Sequence, residues 1–390
     1  MRADVVVVGG GLAGIRTCVA LRAAGFGGSI TLVSDEARPP YDRPPLSKAA
    51  LRGEIDSALP HDLAALGVGL ALSTRAVGLA TDRQMLLTDA GPIGYGALVV
   101  ATGAAPVRLP GQGAQLTLRN HEDAVALRGH FERGAEVVVA GAGWLGAEVA
   151  TAALGHGCVV HCVEAAETPL GAALGAEPAR ELARWWRDVD LRTGRLVRSV
   201  NDGAVELDDG TTLPADVVVS AVGVRPCVEW LRESGLELDG GVLVGPDLRA
   251  SVDGVFAVGD AARRWSPRWQ RRLPGGHWDD AAEAPEVVAA GIVDPAGGRR
   301  YDPVPYFWSD QFGHKLQLVG VRDPRDVAVA RREADGSLRG MGWLGVDGTL
   351  RAYLALDRPR DLTHARLAIS AGARPAPGRL ADVAVPVRAA

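Results

Sequence analysis

Asp4 is followed by four valines, Val5 to Val8, an unbroken apolar run that ends at glycine. A run this short and this uniformly apolar predicts a strand buried on both faces. LAGIRTCVALRA then has the pattern of an apolar helix, and SITLVSDE that of a second strand, ending at Asp35 and Glu36. The same strand–helix–strand succession returns in VVVAGAGWLGAEVATAALGHGCVVHCVE. Three further segments, ALVVATG, DVVVSAVG and VFAVGD, are strands that run into glycine, and the last is expected to pass through Gly259-Asp260 into a helix start. From about residue 304 a small sheet with a couple of helices is expected, and the closing GARPAPGRLADVAVPVRAA reads as a partly ordered extension.

Both strand-to-helix junctions carry glycine at fixed spacing. The first is Gly9-x-Gly11-x-x-Gly14, with Leu12 and Ala13 inside it. In this context the first glycine allows a tight turn, the second lets a pyrophosphate approach the backbone, and the third lets helix and strand pack closely. The helix N-terminus offers free N–H groups and a positive dipole end to the phosphates. The second junction, Gly141-x-Gly143-x-x-Gly146 with Trp144 and Leu145 between, is followed at the next strand end by Glu164. A carboxylate there favours the free 2′-hydroxyl of NAD over the 2′-phosphate of NADP, and no Arg or Lys stands between Glu164 and Glu177. Two such junctions in one chain predict two different dinucleotides.

The chain has 390 residues, 47% of them hydrophobic, enough for two to three domains without help from disulfides or metal. A formal net charge of −5 argues against a nucleic-acid binder. No apolar run approaches the length of a membrane span, and a strand beginning at Asp4 leaves no room for a leader. Cys18, Cys158, Cys162 and Cys227 are scattered, without further ligands at zinc spacing, so buried thiols and a reducing, cytoplasmic location are expected and no metal site. Only two residues, Lys48 and Lys315, are lysines, and Lys48 follows the stiff Pro44-Pro45 in YDRPPLSK.

The ATGAAP, SAVGVRP and FAVGDAA segments resemble the signatures of flavoproteins with two dinucleotide-binding sites. That resemblance implies an α/β fold with two Rossmann-like domains of the glutathione-reductase-like superfamily plus a small α+β C-terminal domain. Its domains would be an FAD domain at 1–107 resuming at 225–303, an NAD domain at 108–224, and a C-terminal reductase domain at 304–390. Members that reduce disulfides carry a cysteine pair after the first strand–helix–strand; here YDRPPLSK stands instead, with no cysteine between Cys18 and Cys158.

YDRPPLSK, GAGWLGAEVA and PYFWSDQFGHKLQLVG are similar to the ferredoxin reductases of oxygenase systems. The likeness implies an NADH-dependent oxidoreductase that passes hydride to FAD and single electrons to a [2Fe–2S] ferredoxin serving a P450 or dioxygenase. It puts Gly9, Gly11, Leu12, Ala13, Gly14, Asp35, Arg43, Lys48, Ala76, Ala101, Thr102, Gly103, Arg119, Gly259, Asp260, His277 and Trp278 against FAD. It puts Gly141, Gly143, Trp144, Leu145, Gly146, Glu148, Glu164 and Gly223 against NADH, with Lys48 and Glu148 as the catalytic, electrostatic pair. Trp308 would lie on the path to the ferredoxin, which would dock near Arg263–Arg272; the same arginines fit a solvated loop. An NADH oxidase or small-molecule reductase, or a non-catalytic NADH-responsive module, shares the first features. The segment RRLPGGHWDDAAEAPEVV departs from the family pattern, and Pro285 is expected to kink or shorten a helix there.

Overall fold

The computed structural model describes residues 2–54, 59 and 61–390. They form two compact units: one from the described residues within 1–43, 57–105 and 224–303, the other from those within 44–56, 106–223 and 304–390.

The first unit is built on a parallel sheet in the order Val68–Ala71, Ile30–Val33, Arg2–Val8, Ile93–Val100, extended by antiparallel strands Met85–Thr88 and Ala76–Ala80. Val255–Ala257 adds in parallel to Ile93–Val100. Val5, Val6, Val7 and Val8 are all buried, which is why alternation is missing from that strand. Helices Leu12–Ala23 and Trp278–Val293 pack together and bring Ile15, Cys18, Leu21, Ala284, Val287 and Val288 into the core.

Three local expectations are corrected here. The second strand stops at Val33, before Asp35 and Glu36. Gly259-Asp260 begins no α-helix: Gly259–Ala261 is one 3₁₀ turn that feeds the strand Ala262–Ser266. Pro285 does not shorten its helix, which runs for 16 residues through it. The proline orphans the Ala281 carbonyl, and Arg16 Nε donates to the neighbouring Ala282 carbonyl at 3.0 Å, tying the two helices where the ladder is weakest.

The second unit carries a second parallel sheet, in the order Asp190–Thr193, Val159–Glu164, Glu136–Ala140, Val217–Ser220. Beside it are an antiparallel meander over 197–214 and a five-stranded antiparallel sheet, Tyr306–Gln311, His314–Gly320, Leu350–Leu356, Leu338–Leu344, Val327–Arg332. Helix Pro359–Ser370 packs on this last sheet, completing a small α+β domain. The YDRPPLSK stretch divides: Pro44 onward, with 3₁₀ turns Pro44–Ser47 and Ala50–Arg52, belongs to this unit and packs against helices His121–Phe131 and Trp144–Gly155. Two dinucleotide-binding sheets and an antiparallel C-terminal domain are the architecture that the sequence implied.

The C-terminal stretch is ordered, against expectation. It forms helix Pro377–Ala381 and a final 3₁₀ turn Val387–Ala389, with Leu380 and Val387 buried. Arg331, wholly buried on the edge strand, donates through Nη1 to the Leu380 carbonyl and through Nη2 to the Val385 carbonyl at 2.9 Å. A proline- and glycine-rich composition suggested looseness, but a buried guanidinium that needs acceptors fixes the segment. Arg331→Met should therefore cost about 3 kcal/mol, because one buried and one half-buried carbonyl lose charge-assisted donors. The check is a lower urea midpoint with early proteolysis confined to the last residues.

Cys18, Cys158 and Cys162 are buried and Cys227 is half-buried, and none of the four is in a disulfide. Burial pushes the Cys18 thiol up to about 12, so it stays protonated and inert. Among the described residues no helix is long and apolar enough to cross a membrane.

Candidate functional site

In the first unit the three fingerprint glycines have different jobs. Gly9 lies at φ +117°, and a Cβ on it would sit 2.1 Å from the Ala101 carbonyl oxygen; one on Gly14 would sit 1.9 Å from the Gly9 oxygen. Both positions exclude side chains for the protein's own packing. Gly11 does not. Its backbone is ordinary extended chain (φ −80°, ψ −175°), and a Cβ there would meet only Arg43 Nε, 4.0 Å away. Gly11 also caps a 12-residue helix that has no acidic residue in its first turn and no side-chain cap, and Leu12 and Ala13 open that helix. The N–H groups at that end are thus left for a bound anion.

Other expected FAD positions converge on this turn. Gly259, at φ +64°, brings the 3₁₀ turn holding Asp260 to 3.1 Å between its notional Cβ and that of Ala13. Ala101, Thr102 and Gly103 follow the neighbouring strand Ile93–Val100, and Thr102 Oγ1 donates to the Cys227 carbonyl at 2.7 Å. Ala76 begins its strand just after Thr74, whose N–H donates to the Ser34 carbonyl at 2.8 Å. His277 caps the helix of Pro285, and Trp278 Nε1 donates to Asp42 Oδ1 at 3.2 Å; burial holds the Asp42 carboxyl above its ordinary range.

Asp35 is exposed, while its neighbour Glu36 is built in. Glu36 accepts from Tyr41 Oη at 2.7 Å and from Arg43 Nη2 at 2.6 Å, so Arg43 and Glu36 form one unit beside Gly11. Nothing in the sequence separates these adjacent acids; the pairing across YDR does. Arg119 falls in the second unit, just ahead of a capping box made by Asn120 and Asp123.

The second fingerprint repeats the division of labour. Gly141 (φ +100°) and Gly146 would clash with the Ala221 and Gly141 carbonyls at 2.5 and 1.8 Å. A Cβ on Gly143 would meet nothing within 4 Å, although its backbone (φ −79°, ψ −166°) suits any residue. Gly223, at φ +118°, is similarly open. Glu164 is fixed by backbone: Oε2 accepts from Ala142 N–H at 2.7 Å and Oε1 from Ala166 N–H at 2.8 Å. Trp144 is the first helical residue, its ring 4.8 Å from that of Phe307, and Leu145 follows it half-buried. The room left at Gly11 and at Gly143, each before an uncapped helix start, fits a pyrophosphate at both places.

The structure pairs Lys48 with Glu148. Lys48 Nζ lies 2.9 Å from Glu148 Oε2, with the lysine 18% and the glutamate 6% exposed. Glu148 is on the second fingerprint helix, one turn beyond Trp144, and Lys48 follows the 3₁₀ turn that Pro44 and Pro45 pre-set. Two further hydroxyls reach the same carboxylate: Ser47 Oγ at 2.5 Å on Oε2 and Ser309 Oγ at 2.7 Å on Oε1. Neither serine is legible in the sequence as a partner of Glu148. Trp308, adjacent to Ser309, stacks with Tyr306 at 5.6 Å between ring centroids.

The arginine run is not a loose loop. Ala262–Ser266 and Arg271–Pro274 form a hairpin in which Arg264 is buried and paired with Asp302 at 3.0 Å, and Arg263 is paired with Asp239 at 2.6 Å. Alternation along the first strand puts Trp265 outward. Arg264 is thereby removed from any docking patch.

Each of the two parallel sheets feeds a glycine-bearing turn into a helix without a side-chain cap, the arrangement of a dinucleotide-binding fold, and Lys48 pairs with Glu148 on the second of these helices. The sequence matches the pyridine nucleotide-disulphide oxidoreductase family over residues 3–276 and the reductase C-terminal family over 306–390. The chain belongs to the ferredoxin–NAD⁺ reductase components of oxygenase systems, and it is an electron-transferring oxidoreductase. It is 34% identical to the anthranilate 1,2-dioxygenase system ferredoxin–NAD⁺ reductase component of Burkholderia cepacia, over 97% of each chain. Among solved structures it is similar to Fdr9, with a TM-score of 0.96, 48% identity and 99% of each chain covered. It is also similar to the reductase in the covalent putidaredoxin reductase–putidaredoxin complex, at TM-score 0.91 and 30% identity, over 99% of this chain and 97% of that one.

Proposed function

We propose that this chain is a cytoplasmic NADH-dependent reductase that holds FAD and delivers single electrons to a [2Fe–2S] ferredoxin. The observation that carries the two-cofactor part is the pair Gly11 and Gly143, where the protein's own packing does not require glycine and a nucleotide does. FAD, when bound, supplies a centre that takes two electrons from NADH and gives them up one at a time. In this reading the Gly11 turn, the helix after it, the Arg43–Glu36 unit and the Gly259-Asp260 turn hold FAD. The Gly143 turn, Trp144 and Glu164 hold NADH. Lys48, a compact ammonium fixed by Glu148, stabilises the negative charge that arrives with the electrons. No proton-abstracting base is needed, and Glu148 is too fully engaged to act as one. The ferredoxin assignment is supported by the family and by the outward Trp265, and its dock takes in the hairpin arginines other than Arg264.

The test is anaerobic mixing of the purified flavoprotein with NADH or NADPH, then with a panel of [2Fe–2S] ferredoxins. Flavin reduction by NADH should exceed that by NADPH by about 100-fold, since a 2′-phosphate would meet the fixed Glu164 carboxylate. Ferredoxin reduction should follow. Equal turnover with oxygen in the presence and absence of every ferredoxin would replace this reading with an NADH oxidase.

A further inference from the structure

Glu148 receives four donors from two separate segments of its unit, Ser47–Lys48 and Ser309–Asp310. Oε2 takes Lys48 Nζ at 2.9 Å and Ser47 Oγ at 2.5 Å; Oε1 takes Ser309 Oγ at 2.7 Å and Asp310 N–H at 3.3 Å. A carboxylate has about four acceptor sites, so these donors saturate it. All four come from outside the fingerprint helix that carries Glu148, and Lys48 among them needs its anion. Glu148 and Ser309 are buried, at 6% and 0% exposed, which shields the contacts from water and strengthens each one.

The Ser309 side of the contact is reinforced. Phe312 N–H donates to Thr151 Oγ1 at 2.9 Å, so the end of the strand Tyr306–Gln311 grips the helix at two successive turns, Glu148 and Thr151. Gln311 Nε2 donates to Ser309 Oγ at 3.1 Å. That contact uses the hydroxyl oxygen as an acceptor and leaves its proton for Glu148.

We infer that Ser309, together with Ser47, is a positioning residue for NADH oxidation: it turns the Glu148 carboxylate so that Oε2 meets the Lys48 ammonium. The C-terminal domain thereby takes part in the first half-reaction, in addition to any part it has in passing electrons on. The inference rests on the proposed role of the Lys48–Glu148 pair.

A double-mutant cycle tests both layers separately. Ser309→Ala, Glu148→Gln and the double variant are purified with FAD bound, and flavin reduction by NADH is followed anaerobically to obtain the limiting rate and the NADH dissociation constant. Loss of one hydrogen bond to a buried carboxylate should lower the limiting rate by about tenfold and leave the dissociation constant within twofold. In the Glu148→Gln background the serine change should have no further effect. If Glu148→Gln slows reduction but Ser309→Ala does not, the clamp is wrong and the role of the pair stands. If the two losses simply multiply, Ser309 acts through the fold and the inference is overturned. If Glu148→Gln itself leaves the rate unchanged, the pair has no such role and the inference falls with it. Should Ser309→Ala fail to fold, Ser47→Ala, on the other oxygen of the same carboxylate, is held to the same outcomes.

Discussion

Gly143→Val should give a protein that folds, keeps its flavin and is no longer reduced by NADH. The expectation rests on what a side chain at this position does not hit. A Cβ on Gly143 meets no atom within 4 Å, and its φ and ψ are comfortable for valine. The cost to the fold is at most about 1 kcal/mol of N-cap preference. The isopropyl group would instead occupy the space at the mouth of the helix Trp144–Gly155, where the proposed NADH site brings a pyrophosphate to backbone distance. Loss of that contact should slow flavin reduction at fixed NADH by more than about 100-fold, corresponding to about 3 kcal/mol of lost binding. Gly146→Val is the contrasting change: its Cβ would lie 1.8 Å from the Gly141 oxygen, so it should lower stability as well. Melting curves with flavin fluorescence, beside anaerobic NADH mixing, separate the two. A Gly143→Val protein that is reduced at the normal rate would remove the nucleotide from this turn.

Lys48→Met has the next largest expected effect, on two properties together. The methionine chain fills the space of the lysine stem but leaves Glu148 buried and short of its counter-charge, with Ser47, Ser309 and Asp310 N–H as its remaining donors. Removing one member of a buried pair costs about 3 kcal/mol, less the relief those three donors give. In the mechanism proposed above the same change removes a preorganised cation, which for electrostatic stabilisers is worth about 100-fold in rate. Lys48→Arg should recover stability better than rate, because a planar fork can pair with Glu148 yet cannot place its charge at the same point. Stopped-flow reduction and thermal melting read the two quantities. A Lys48→Met enzyme within twofold of the parent rate would end the electrostatic role given to this lysine.

Local rules made the fingerprint turns legible in the sequence: the spacing of Gly9, Gly11 and Gly14, and of Gly141, Gly143 and Gly146, is dictated by covalent geometry within a few residues. Lys48 and Glu148 are far apart in the chain, and only the likeness of their flanking motifs joined them. Ser309 was visible merely as part of FWSD, since no local pattern records which hydroxyl a fold will bring to a carboxylate 161 residues away. The turn at Gly259 was misread as a helix start because a single 3₁₀ turn and a first helical turn ask for the same residues. The arginines of ARRWSPRWQRR looked uniform, whereas strand alternation buries Arg264 against Asp302 and leaves Trp265 outside. The tail failed for a related reason: the partner that orders it, Arg331, lies 49 residues upstream of Leu380 on a strand edge.

The grip of the strand Tyr306–Gln311 on Glu148 bears on how such reductases can be recombined. A C-terminal domain looks like an interchangeable cassette, to be traded so that one flavoprotein serves another's ferredoxin. Here the graft junction would fall upstream of Ser309, so the incoming piece brings a hydroxyl and a backbone amide that the host's Glu148 depends on. A donor whose strand enters one residue out of register would present the opposite face at that point. Such a chimera could acquire the new partner and lose its appetite for NADH.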